Sequence, residues 1–207
     1  MYAFEIATDA PKAELYAELL KAADALTAGE PDGIANMANI AALVWQFVPD
    51  LNWAGFYRMV GGELVLGPFQ GKSACIRIPL DKGVCGAAAR TGATQLVEDV
   101  HAFPGHIACD ADSRSELVVP VKRGGAVNAV IDLDSPSPSR FDADDAAGIQ
   151  IGWHAWAIEI VDAMIGTHGR AIFGMIMMFL ARVAGCLCWH RYQSAGRKAR
   201  NQEDFHG

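Results

Sequence analysis

The first 165 residues contain no run of basic residues, the chain has no CxxC pair, and its N-terminus has none of the parts of a secretory leader. Each absence removes a class of function. Without clustered Lys and Arg, and with a formal net charge of -7 at pH 7, the chain has no electrostatic footprint for nucleic acid, and small molecules are the better-suited ligands. The opening MYAFEIATDAPKAELYAELL has no basic n-region, apolar h-region or small-residue cleavage site, so the body is expected in the cytoplasm. Five cysteines, an odd number without zinc-ribbon spacing, argue against a disulfide framework or a structural zinc. In a reducing compartment such thiols are catalytic, redox-active or simply buried. Charged residues are only 20% and hydrophobic residues 52% of 207, a globular composition long enough for one domain with an appendage.

Lys12 to Ala25 carries Leu15, Leu19, Ala22 and Ala23 at helical spacing behind Pro11, which suits a first turn. After TAGEPDG, a second and more apolar helix is expected from Ile34 to Val48, stopped by Pro49. The pattern then shortens. WAGFYRMV and ELVLGPF flank Gly61-Gly62 as a hairpin, ACIRIPL reads as a strand, and GVCGAAARTG as a helix left through Gly92. TQLVEDV is a further strand, HAFPGHIACDADSRS a loop, and ELVVPVKRGGAVNAVIDLDSP two strands joined at Gly124-Gly125. A closing helix from Phe141 to Met164 has aspartates in its first turn, where they favour the helix dipole. This order predicts an α+β fold, a mostly antiparallel sheet with helices packed on it.

Chemistry concentrates between Gly67 and Glu116, where Cys75, Cys85 and Cys109 fall. Cys109 has His106 before it and Asp110, Asp112 and Glu116 after it. Taken singly, Cys75 and Cys85 have the ordinary role of buried structural thiols. Trp53 and Tyr57 have that of core aromatics. Asp132 and Asp134, just ahead of SPSPS, suit strand-end and turn chemistry. His101, His106 and Cys109 match no zinc spacing, so neither metal nor cofactor is expected.

Taken together and in order, WAGFYR, GPFQGKSACIRI, GVCGAAA, VEDVHAFPGHIACD, SRSELVVPV and VIDLDSP make the chain resemble the free methionine-(R)-sulfoxide reductases, enzymes built on a GAF domain. The resemblance runs over roughly Lys12 to Met164. Other GAF domains bind cyclic nucleotides, tetrapyrroles or other ligands and lack this three-cysteine set. The resemblance implies reduction of free L-methionine (R)-S-oxide to L-methionine, with thioredoxin as reductant. It makes Cys109 the attacking cysteine, Cys75 the resolving cysteine of an intramolecular disulfide, and Cys85 an accessory third. It makes Glu116, Asp132 and Asp134 the carboxylates of the substrate site, and Trp53 and Tyr57 its aromatic wall. The competing class is a GAF module that senses a small ligand or redox state, coupled through its tail to a membrane or partner.

The residues suit that chemistry on their own terms. Sulfoxide reduction needs a thiolate, a proton for the departing oxygen and a second thiol to clear the sulfenic acid. Two aspartates separated by one residue share a strand face, and crowded carboxylates can retain a proton at neutral pH. They can accept an ammonium or protonate an oxygen, and either division of roles is open. Asp110 and Asp112 would raise the pKa of a neighbouring thiol, so they are expected to face solvent.

Past residue 165 the pattern changes again. Ala171 to Trp189 is apolar for 19 residues apart from Arg182, and HRYQSAGRKAR follows with clustered positive charge. A bilayer span of this length is feasible, with Arg182 costing about 2.5–3.5 kcal/mol if central. The alternatives are an amphipathic helix on a membrane or homodimer surface, or a foreign tail such as a shifted reading frame produces. Residues 1–165 are accordingly expected to form the catalytic domain and 166–207 an appendage. Cys186 and Cys188 belong to the appendage and are poor candidates for catalysis.

Overall fold

The computed structural model of the chain describes residues 10–106 and 110–150. Cys109, the expected closing helix past residue 150, and the 171–189 segment with Cys186 and Cys188 lie outside the described residues.

Helix α1 (Lys12–Thr27) turns Tyr16, Leu19, Ala22 and Ala23 inward. Helix α2 (Gly33–Phe47) opens on Asp32, whose carboxylate accepts the Ile34 and Ala35 N–H groups at 2.8 and 2.9 Å. It ends one residue before Pro49 approaches, since proline cannot supply the next donor. Strands β1 (Trp53–Val60) and β2 (Glu63–Gly71) meet at Gly61 and Gly62, with φ +62° and +90°. That left-handed pair is the twisted two-residue hairpin glycine permits. The chain continues through β3 (Arg77–Ile78), α3 (Gly83–Thr91) and β4 (Gln95–Val97) to the long hairpin β5 (Ser115–Arg123) and β6 (Ala126–Ser135). All pairings are antiparallel, in the order β3-β2-β1-β6-β5-β4.

The expected strand ACIRIPL is a correction. Only Arg77 and Ile78 pair, with Val65 and Leu64, and Pro79 closes the ladder because it has no donor to contribute. Cys75 therefore sits on the loop that feeds β3, not within a strand.

Strand alternation divides the core in two. Ala54, Phe56, Leu117, Val119, Val121, Ala129, Ile131 and Leu133 face α1 and α2. Fully burying side chains such as Ile131 and Leu133 contributes about 1.5–3 kcal/mol each. The alternate positions Trp53, Tyr57, Val118 and Val130 face α3 with Val84, Cys85 and Ala88. Gly86 lets α3 lie against the β3–α3 turn, since a Cβ there would come 2.7 Å from the Pro79 carbonyl.

A helical run begins at 143 and continues to 150, where the described residues end. Asp142 accepts the Asp144 and Asp145 N–H groups, and Asp145 accepts that of Asp142, a reciprocal cap made by two carboxylates. Asp145 also receives Lys12 at 2.6 Å, the Tyr16 hydroxyl at 2.8 Å and Arg140 at 3.3 Å, tying this helix to α1. Among the described residues no helix is long and apolar enough to cross a membrane.

Candidate active site

The second core opens into a pocket, and strand register explains its polar floor. Across the three central strands Trp53 pairs with Asp134 and Asp134 with Glu116, in one row. Asp132, two residues along β6, shares their face, opposite Gly55 and Val118. Tyr57 completes the wall from β1. A residue spacing that reads as ordinary strand alternation thus places three carboxylates and two aromatics on one surface.

The aromatic wall depends on a glycine. Trp53 stacks on Tyr57 at 5.8 Å between ring centroids and on Phe69 at 5.3 Å, and its indole N–H donates to the Lys72 carbonyl at 3.1 Å. The Trp53 ring lies across Gly55, where a Cβ would come 2.7 Å from the ring and 2.8 Å from the Phe69 Cα.

Glu116 and Asp132 are each only 6% exposed and hydrogen-bond one another, an arrangement of two carboxyls that requires a proton between them. Burial first, then the negative charge of Asp132 and Asp134, pushes Glu116 well above the usual carboxylate range. Burial pushes Asp132 up to about 7, against hydrogen bonds from Cys85 and Glu116 that act in the opposite direction. Partly exposed Asp134 is raised by the same desolvation and by Asp132, while Ser113 hydrogen-bonds it and lowers it. The cluster therefore holds protons at neutral pH. One acceptor in it is unused: Asp132 Oδ1 is buried with no hydrogen-bond partner. A buried acceptor left unpaired costs about 1–3 kcal/mol, which a donor on a ligand would recover.

Cys85 enters this cluster from α3. Its thiol is fully buried, hydrogen-bonds Asp132 and is pushed up by desolvation and then by Asp132 and Glu116, so it stays a neutral thiol. Cys85 Sγ and carboxylate oxygens of Glu116 and Asp132 lie within 4.8 Å of one another, close enough to share a cation. His101 and His106 meet edge to face at 6.1 Å, and of the two only His106 lines the pocket, with its Nε2 buried and unpartnered. Burial and then His101 lower its pKa, which favours the neutral imidazole.

Cys75 is disulfide-bonded, whereas Cys85 is free. The partner of Cys75 is therefore among the chain's other three cysteines, all outside the described residues. Cys75 is half-buried against the second core, and its loop neighbours Ser73 and Ala74 line the pocket.

Asp112 faces solvent as expected, and Asp110 does not. Asp110 lines the pocket with 13% of its side chain exposed. It accepts the Asp112 N–H at 3.0 Å, Asn52 Nδ2 at 3.1 Å and Lys72 at 3.3 Å, and the first of these does most to hold its carboxyl below the usual range. An aspartate with three donors can turn inward while remaining charged. Asn52 and Ser113, joined at 3.0 Å, are pocket supports that sequence reading did not single out. Neither lies in a distinctive pattern, and only the position of Asn52 directly before WAGFY could have drawn attention to it.

Comparison with known proteins accords with this geometry. The GAF domain profile GAF_2 matches residues 36–151. A protein of Zymomonas mobilis is 54% identical over 149 residues, 72% of this chain and 92% of its own length. The free methionine-R-sulfoxide reductase of Escherichia coli is 48% identical over 139 residues, 67% of this chain and 84% of that enzyme. The X-ray structure of the Neisseria meningitidis free methionine-R-sulfoxide reductase in complex with its substrate superposes with a TM-score of 0.76 at 39% identity, covering 81% of this chain and all of that one. With a GAF fold and matches of this extent, the chain belongs to the family of free methionine-R-sulfoxide reductases, oxidoreductases built on a GAF domain.

Proposed function

We propose that this chain reduces free L-methionine (R)-S-oxide to L-methionine through a cysteine sulfenic acid and an intramolecular disulfide. The observation that carries the reading is the proton-loaded carboxylate cluster, with its unpartnered Asp132 Oδ1, on the same pocket face as Trp53 and Tyr57. A free amino acid brings an ammonium that must be satisfied once water leaves, and Asp132 supplies a buried acceptor for it. Trp53 and Tyr57 supply flat apolar surface for the S-methyl group, which makes the pocket sensitive to the handedness at sulfur.

In the first step the Cys109 thiolate attacks the sulfoxide sulfur while a neutral carboxyl of the Glu116, Asp132 and Asp134 group protonates the oxygen. The sulfur–sulfur bond so formed and the substrate S–O bond then break as the hydroxyl passes to the Cys109 sulfur, so that methionine leaves reduced by two electrons and Cys109 becomes the sulfenic acid. Cys75 then attacks that sulfur, water departs and the disulfide forms. The disulfide at Cys75 supports this reading of its role. Thioredoxin returns two electrons and two protons. Cys85 acts in neither thiol step: its buried neutral thiol donates to Asp132 and keeps that carboxylate oriented. The enzyme works in the cytoplasm, and 166–207 is an appendage outside the catalytic domain.

Purified protein is incubated with each epimer of free methionine sulfoxide and a dithiol, and methionine is followed. Turnover of the R epimer alone is expected, and its absence sinks the proposal in favour of a ligand-sensing GAF module. Cys109→Ser abolishes turnover, whereas Cys75→Ser leaves one equivalent of methionine before recycling fails. Equal bursts from both variants would mean the nucleophile is misassigned.

A further inference from the structure

Cys75 is disulfide-bonded and half-buried on the loop before β3. Ile76, the next residue, is 71% exposed, whereas the other exposed large hydrophobics among the described residues lie between 39% and 44%. A single exposed isoleucine is unremarkable by itself. Here it adjoins the bond that must be reduced, on a backbone held in place by the Leu66 N–H donating to the Ile76 carbonyl at 2.9 Å. Among the described residues β3 is also the terminal strand of the sheet, paired with β2 alone, and a terminal strand is where an extended segment of another protein can add. The charge on this strand is already matched, Arg77 being paired with Glu63. Beside the disulfide the strand thus presents one exposed apolar side chain, Ile76, next to an Arg77 whose charge is already paired.

We propose that Ile76 and the outer edge of β3 form the docking site for a protein dithiol, one that carries an apolar collar around an exposed thiol. The inference rests on the redox cycle above and names the surface that cycle uses. The reductant's thiolate attacks Cys75 Sγ, the S–S bond breaks, and the partner cysteine leaves as a thiolate that takes up a proton. The reductant's second thiol then attacks its own sulfur in the mixed disulfide. Cys75 is released as a thiol and the reductant ends as a disulfide, oxidised by two electrons. In-line attack requires the protein reductant to be held, and Ile76 is the contact that holds it. A small dithiol needs no such contact, and that difference isolates the surface.

The test compares thioredoxin with dithiothreitol on the full chain, using Ile76→Asp, Ile76→Ala and, at the opposite sheet edge, Leu96→Asp. Leu96 is the control because it is 42% exposed on the other terminal strand. The rate of thiol appearance from the oxidised protein is read directly, without sulfoxide, alongside steady-state turnover. Ile76→Asp is expected to raise the KM for thioredoxin about tenfold or more, the loss that follows from one buried isoleucine contact. Ile76→Ala should fall between it and the parent chain, and dithiothreitol-supported turnover should not change. A thioredoxin mutant lacking its second cysteine should be trapped on Cys75, and trapped less in Ile76→Asp. The inference is overturned if Ile76→Asp reacts with thioredoxin as the parent does, if Leu96→Asp loses as much, or if the dithiothreitol rate falls in parallel. Failure of the catalytic reading looks different: no turnover with dithiothreitol, with thiol release by thioredoxin still sensitive to Ile76.

Discussion

Asp132→Asn separates what the carboxylate cluster does for binding from what it does to stability. Asp132 faces Glu116 from β5, Asp134 from its own strand, Cys85 from α3 and Tyr57 from β1, and its pKa is raised from 3.8 to about 7, chiefly by burial. A carboxyl raised on folding binds more protons in the folded state between those two values. Its contribution to stability is therefore intact below about pH 4 and is lost as pH rises through 7. With each pH unit between the two values removing about 1 kcal/mol, the loss is on the order of 4 kcal/mol at pH 8 and less than half of that at pH 5. An asparagine does not titrate, keeps an oxygen for the Cys85 thiol and offers N–H groups to Glu116. Asp132→Asn should therefore melt several degrees above the parent at pH 8, with the gap narrowing towards pH 5. The same change removes the negative acceptor for a substrate ammonium, a charged hydrogen bond that contributes about 1.5–3 kcal/mol, so KM should rise about 10- to 150-fold. Thermal melts from pH 5 to 8 and initial rates with the R epimer read both effects. A variant less stable than the parent at pH 8, or a gap that does not change with pH, would refute the account of the buried carboxylates. An unchanged KM would refute the role of Asp132 in holding the ammonium.

Three further outcomes follow from particular contacts. Gly55→Ala puts a methyl group within 2.8 Å of the Phe69 backbone and against the Trp53 ring, so the strands or the wall must shift. A loss of about 1–3 kcal/mol in denaturant unfolding is expected, with a raised KM. Asp145→Ala strips the shared acceptor from Lys12, Tyr16 and Arg140 and should cost about 3–5 kcal/mol in the same assay. Because it lies away from the pocket, kcat well below the melting temperature should hold. Deleting 166–207 should leave R-epimer turnover and thermal stability intact. Unfolding of the truncated protein would move the domain boundary.

Much of the architecture was legible before any coordinates. Helical spacing and Pro49 place α1 and α2, and the glycine pairs at 61–62 and 124–125 announce two hairpins, because these are local signals carried by neighbouring residues. Other features depend on residues far apart in the chain. β3 contains only two paired residues, and no two-residue strand has a period to read. Asp110 turns inward because Asn52, from another part of the chain, and Lys72, from the β2–β3 loop, meet its carboxylate. Neither contact leaves a trace in the local pattern.

The candidate site divides along the same line. The chain's own order of motifs names Cys75, Cys85, Cys109, Trp53, Tyr57, Glu116, Asp132 and Asp134, and their chemistry is implicit in residue type. What those residues are to one another was decided only on folding. Cross-strand register sets Glu116 beside Asp134 and Trp53 opposite it. The seating of α3 brings the Cys85 thiol to Asp132, and closure of the pocket removes the water that would have kept these carboxyls acidic. A pKa is a property of surroundings, and the surroundings of Asp132 come from four different elements. Sequence determined which groups the protein could use, while the tertiary structure decided which of them hold protons, which acceptor is left unpaired, and which isoleucine stands exposed beside the disulfide.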